Sequence, residues 1–246
     1  MSFMMISLFG GLIMLFSAYI KGISGFGTAI FAVPLLTAFI FLPAETRVIV
    51  VTLNLVLNVF ILTKENALTK ENLLKIKWLL IPGFIFAFLS GFVLMTFDDR
   101  LFTIILGVLL VITAVNKVFD FPYKIRHVKR YYPLVGSLSG ILNTLIGVGG
   151  IPVLIFLSNA KVKKAAFRHT LMLFFLGINL GSVLTFMVNR AYSQTIILHS
   201  LMFIPFILLG SLLGMKTSTH INNTNFNRVV AVLLLIMGLS SMFNIL

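Results

Sequence analysis

The chain has 246 residues, 59% of them hydrophobic and 10% charged, with a mean hydropathy of +1.11. A soluble domain carries roughly 25% charged residues, so this is an integral membrane protein, with no room for a separate soluble domain beside its apolar segments. It has no cysteine, which excludes disulfides, thiol nucleophiles, iron–sulfur clusters and thiolate zinc sites, and its formal charge of +13 fits basic loops that orient a membrane protein better than a nucleic-acid surface.

A spanning helix needs about 17–25 apolar residues. Phe3–Tyr19 is the first such segment. No Lys or Arg precedes it, as a cleaved signal peptide would require, so it reads as a retained helix. The stretch GISGFGTAIFAVPLL, Gly22 to Leu36, is broken by Gly22, Gly25 and Gly27 and carries Pro34 further on. A short apolar segment, Thr28–Leu42, follows the break. Val48–Thr63, Trp78–Thr96 and Leu101–Val118 read as plain spans, and Lys64–Lys77 as a short surface helix. The basic stretch Asp120–Tyr132 divides the chain. Pro133–Ile146 then runs into GILNTLIGVGGIPVLIFL, Gly140 to Leu157, broken by Gly147, Gly149, Gly150 and Pro152. Each Gly in a helix interior costs roughly 1 kcal/mol against Ala, and Pro about 3. Both clusters therefore read as helix, break, helix. The short Pro152–Ser158 and the spans Thr170–Val188, Thr195–Leu213 and Val229–Ile245 complete the chain.

Charge sets the expected topology. If each broken element is a hairpin, fifteen Lys and Arg fall on one side: Lys64, Lys70, Lys75, Lys77, Lys117, Lys124, Arg126, Lys129, Arg130, Lys161, Lys163, Lys164, Arg168, Lys216 and Arg228. Arg47, Arg100 and Arg190 fall on the other, with Lys21 at a hairpin tip. The positive-inside rule places the fifteen in the cytoplasm and both chain termini outside. The halves also repeat: AETRVIVVTLNLVLN from Ala44 lies over AAFRHTLMLFFLGIN from Ala165, setting Arg47 on Arg168 and Asn58 on Asn179. Each half has one hairpin and three spans, so the second must be inverted. The expected fold is an all-α polytopic membrane protein of two inverted repeats, 1–119 and 133–246, joined by a cytoplasmic linker at 120–132. Paired broken segments in such repeats point to a transporter's binding site.

The expected ligand is an anion. Each break exposes a helix N-terminus, with about half a positive charge and unpaired N–H groups, and glycines admit a ligand close to the backbone. Gly25, Gly27, Gly147, Gly149 and Gly150 form the breaks, Lys21 adds a full charge, and Ser24, Thr28, Asn143 and Thr144 supply donors. Asn58 and Asn179 are further candidate ligands, and Arg47 and Arg168 candidate gates at opposite mouths. Each has a structural alternative: glycines for close helix packing and asparagines for interhelical bonds, Lys21 snorkelling to an interface, and the arginines anchoring there. Asn54, Ser90, Thr113 and Ser182 are expected to bond their own helix backbones. No catalytic, cofactor or metal role is assigned: there is no HExxH motif and no intramembrane carboxylate pair.

The two glycine-rich stretches resemble the paired signatures of the TauE/SafE family of sulfite and organosulfonate exporters. The likeness runs through both halves. It is closer at Gly140, Gly147, Gly149, Gly150 and Pro152 than in the first half, where Thr28-Ala29-Ile30 replaces a further glycine run. The resemblance implies a multi-pass plasma-membrane carrier of a small anion, such as sulfite, sulfoacetate, thiosulfate or a related organic acid. Its partners are then that anion and the lipid bilayer, with no nucleic acid, and a homodimer is compatible with it. Export is the expected direction, because an inside-negative potential drives an anion outward by about 2.3 kcal/mol per charge per 100 mV. The rival readings are an anion channel, a proton-coupled importer, an intramembrane enzyme and an accessory subunit.

Overall fold

The computed structural model describes residues 3–119, 128–158, 164–218, 232 and 234–239, and every regular element among them is helical. Helix α1 (Phe3–Ser24) is followed by α2 (Thr28–Phe39), α3 (Pro43–Lys64), the short α4 (Lys70–Lys75), α5 (Lys77–Ser90) and α6 (Asp99–Phe119). Then come α7 (Tyr132–Ile146), α8 (Gly150–Ser158), α9 (Lys164–Val188) and α10 (Gln194–Thr217). Six helices among the described residues are long and apolar enough to cross a membrane: α1, α3, α5 with its 3-10 extension, α6, α9 and α10. The chain is therefore an all-α polytopic membrane protein. The expected span Val229–Ile245 lies outside the described residues except for 232 and 234–239, which are helical where described. The linker at 120–127, the basic residues Lys161 and Lys163, and both chain ends also lie outside them.

Local chemistry sets the helix ends. Pro43 opens α3, where its missing N–H costs nothing, and the Leu42 N–H donates to Glu45 Oε2 at 3.4 Å. Ser193 caps α10 by accepting from the Ile196 N–H at 3.2 Å. Asp98 accepts from the Arg100 N–H at 2.6 Å at the start of α6. Helix α5 ends earlier than its apolar run predicts. A 3-10 turn, Gly91–Thr96, continues it; Gly91 lies against the Thr185 side chain, and its carbonyl accepts from Asn189 Nδ2 at 2.8 Å.

Helix α1 runs further than the sequence suggests. It continues past Tyr19 through Lys21 and Gly22 to Ser24. Lys21 is therefore not at a hairpin tip. It sits one turn inside the helix end and is 2% exposed, which also removes the snorkelling alternative. Gly22 is not part of the break. It packs against Gly214 of α10, where an added Cβ would sit 2.9 Å from Gly214 Cα and collide with the Ser211 carbonyl oxygen. Gly210 and Gly214 in turn meet the Leu15 and Tyr19 carbonyls of α1. The second close pair is α7 on α5: Gly136 and Gly140 of α7 lie on the Leu79 and Gly83 carbonyls of α5. Without a hydrophobic drive between helices in lipid, such backbone approach is a main source of association. Each pair joins a helix of one half to a helix of the other. The core between the pairs is formed largely by α3 and α9, with Ile49, Leu53, Leu57, Phe174 and Ile178 fully or almost fully buried.

Gly140→Ala is expected to lower stability by about 1–3 kcal/mol, the cost of forcing a methyl into a packed contact, because its Cβ meets α5 backbone. Leu138→Ala, 48% exposed on the same helix, should change it by less than about 0.5 kcal/mol. Thermal unfolding of both variants in detergent checks the difference.

Candidate functional site

The two helix breaks have the same geometry. Gly25 and Gly147 both have φ of 84°, a left-handed conformation that glycine adopts without strain. Each ends its helix by donating to the carbonyl four residues back: Gly25 N–H to Lys21 O at 2.7 Å, and Gly147 N–H to Asn143 O at 2.9 Å. Gly27, at φ 110°, then precedes α2, and no side chain caps the new N-terminus. The first N–H groups of such a helix have no intrahelical acceptor.

Both breaks face one cavity. It is lined by Lys21, Gly27, Thr28, Asn143, Gly147, Gly150 and Asn179, together with Phe26, Ala29, Ile30, Asn54, Val148, Leu154 and Phe175. Seven of the residues picked out as ligands from sequence thus meet on one surface. Lys21 Nζ donates to Asn54 Oδ1 at 3.1 Å and lies 5.9 Å from the Phe175 ring centroid, at the edge of cation–π range. Among the described residues, no carboxylate lines the cavity and no group bonds the buried Thr28 Oγ1, which leaves a hydroxyl free at the start of α2. Asn143 is held from behind: its Nδ2 donates to Asn179 Oδ1 at 3.0 Å and to Ser182 Oγ at 2.9 Å.

The other predicted residues do different work. Ser24 Oγ lies 2.9 Å from the Ile20 carbonyl and 2.6 Å from the Phe26 carbonyl, and accepts from the Phe26 N–H at 3.3 Å, so it ties the break together. Thr144 donates to the Ala87 carbonyl at 2.6 Å and shares a 2.6 Å hydrogen bond with Ser182. Gly149 packs on Ser139 and Asn143 rather than on the cavity, and Gly25 lies against the Arg168 side chain. Asn58 is fully buried, does not line the cavity, and has no partner for either amide atom among the described residues. Arg47 donates from Nη1 to the Leu145 carbonyl at 3.1 Å. It also lines a wider depression of about 660 Å³ with Glu45, Asp98 and Asp99. Arg168 pairs with Glu65 at 2.7 Å, and His169 Nε2 lies 3.2 Å from the same carboxylate.

Sequence reasoning missed Asn54, whose amide takes the lysine instead of its own backbone. Its signal was present in TLNLVLN: two asparagines one turn apart in an apolar helix share a face. Ser182 does bond its own helix, at the Ile178 carbonyl, but also serves Asn143 and Thr144. Ser90 and Thr113 bond their own backbones as expected. No group of three or more His, Cys, Asp or Glu suited to a metal occurs among the described residues.

Residues 10–241 match the family described as Sulfite exporter TauE/SafE. No curated protein and no solved structure matches the chain.

Asn143→Ala removes the donor to Asn179 and Ser182 and leaves both buried. It is expected to cost about 1–3 kcal/mol, read as a lower melting temperature. Ser24→Ala, at a half-buried hydroxyl on the last residue of α1, should cost about 1 kcal/mol or less.

Proposed function

This chain belongs to the TauE/SafE sulfite exporter family, and we propose that it carries a small sulfur oxyanion or sulfonate out of the cell across the plasma membrane by alternating access. The observation that carries the reading is the Lys21 side chain, buried on a cavity that both helix breaks line and that no carboxylate lines among the described residues. The cavity supplies the free hydroxyl of Thr28, the amides of Asn54, Asn143 and Asn179, and the uncapped N-terminus of α2. Helix N-termini favour anions, and a cation would meet Lys21 and no carboxylate among the described lining residues. The free space is about 30 Å³, room for roughly two or three waters at 10–15 Å³ each, which suits an ion of a few heavy atoms such as sulfite. Ile30, Val148, Leu154 and Phe175 give the site an apolar side that would take a short organic tail on a sulfonate.

The two mouths support a carrier over an open pore. At the Arg168 mouth the arginine is closed onto Glu65, with His169 on the same carboxylate. At the Arg47 mouth the arginine borders the wider depression. With the basic loops in the cytoplasm, Arg168 is at the inner mouth and Arg47 at the outer. The membrane voltage then favours efflux without a coupling ion.

Proteoliposomes loaded with sulfite should show saturable efflux that is accelerated by a voltage negative on the cytoplasmic side. Lys21→Met should lower kcat/KM by about tenfold or more, which is about 1.4 kcal/mol or more, while Lys70→Met on the exposed α4 should leave it unchanged. Equal flux in wild type and Lys21→Met would remove the cavity as the anion site. Flux that collapses with the proton gradient alone would replace voltage-driven export with proton coupling.

A further inference from the structure

Among the described residues, Asn58 is the one picked out as a ligand that is fully buried, away from the cavity and without a partner for its amide. An unpaired buried amide costs about 1–3 kcal/mol per group, and each such case in a folded protein needs a cause. Asn58 stands one helical turn beyond Asn54 on α3, so the two asparagines share a face. Lys21 holds Asn54, the nearer to the α3 N-terminus, at 3.1 Å.

The second half offers the comparison. Asn143 precedes the cap glycine Gly147 by four residues, as Lys21 precedes Gly25, and both caps share the same φ and hydrogen bond. Asn179 follows Arg168 by eleven residues, as Asn58 follows Arg47. Asn143 donates to Asn179 at 3.0 Å. The matching bond in the first half would run from Lys21 to Asn58, and it is not made. Instead Lys21 reaches Asn54, whose counterpart in the second half is Phe175. One half thus has its donor on the later position of the pair, the other on the earlier.

In a carrier built from inverted repeats, the two access states arise when the halves exchange conformations. We propose that Lys21 moves its partner from Asn54 to Asn58, about one helical turn or 5–6 Å along α3, as the carrier changes the side to which its cavity opens. Asn58 is then a positioning residue for the lysine and not a ligand of the anion. Its amide is unpaired here because this state holds the lysine at Asn54. The inference rests on the alternating-access reading given above.

The chain has no cysteine, so a single introduced thiol reports access cleanly. Ala44→Cys places one on the exposed rim of the depression beside Arg47. Its rate of reaction with a membrane-impermeant thiol reagent is measured in three backgrounds: wild type, Asn58→Leu and Asn54→Leu. Asn58→Leu removes the second partner, so labelling should rise to the fast limit and sulfite efflux should fall by about tenfold. Asn54→Leu removes the first, so labelling should slow by about fivefold or more. Asn58→Gln, which keeps the amide, should restore labelling toward wild type. Melting temperatures within a few degrees of wild type exclude misfolding. Opposite shifts in the two leucine variants support the exchange even if sulfite is not moved, in which case only the substrate assignment fails. Equal labelling in all backgrounds, or a shift in the same direction, overturns it, and does so even in a protein that transports sulfite.

Discussion

A backbone that leaves the helix inside a bilayer has nowhere to place its N–H and C=O groups except protein or a polar cavity. The two breaks in this chain meet that constraint in the same way. Gly25 and Gly147 take a left-handed φ and return their N–H to Lys21 and Asn143. Those two residues also line the cavity, so the end of each helix and a cavity-lining side chain are one local unit. The N–H groups at the start of α2 remain open, and they open onto the same space. An anion is the ligand that such a space rewards, because the unpaired donors that the bilayer penalises are the donors it would use.

Rigid contacts surround this soft centre. Gly22 and Gly214 bring α1 onto α10, and Gly83 with Gly140 brings α7 onto α5, each with backbone against backbone. These pairs cross between the halves. A motion that separated residues 1–119 from 133–246 as two blocks would break both glycine contacts at once. A motion that kept each pair intact would move α1 with α10 against α7 with α5, with α3 and α9 supplying the polar residues between them. Bodies of that kind would each be made from both halves of the sequence.

Much of the site was legible in the sequence because the breaks violate helix propensity in an otherwise uniform apolar chain. Gly147, Gly150, Thr28 and Lys21 were found that way, and the cavity brings them together. Gly22 was misread because composition cannot tell a glycine that ends a helix from one that lets two backbones touch, while Gly149 does lie in its break but packs on Ser139 and Asn143 instead of lining the cavity. Asn54 was misassigned because a polar residue in an apolar helix can always bond its own backbone, and only the reach of Lys21 across to α3 decides otherwise. The Glu65 contact with Arg168 was invisible: the two residues are far apart in the chain, and their pairing depends on the antiparallel approach of α3 and α9.

The frame is more symmetric than its charges. Each cap glycine lies against the arginine of the opposite half, Gly25 against Arg168 and Gly147 near Arg47. Yet Arg168 is held by a carboxylate at 2.7 Å, while Arg47 rests on the Leu145 carbonyl beside an open depression. The position of Lys21 is matched by neutral Asn143, and that of Asn54 by apolar Phe175. Matching helix ends set Lys21 and Asn143 in the same backbone frame. Unequal side chains put Lys21 on one break and a neutral amide on the other. On the proposed reading an anion beside Lys21 would lie off-centre, and a change of the lysine's partner would change its binding energy, the differential affinity by which a ligand shifts a conformational equilibrium.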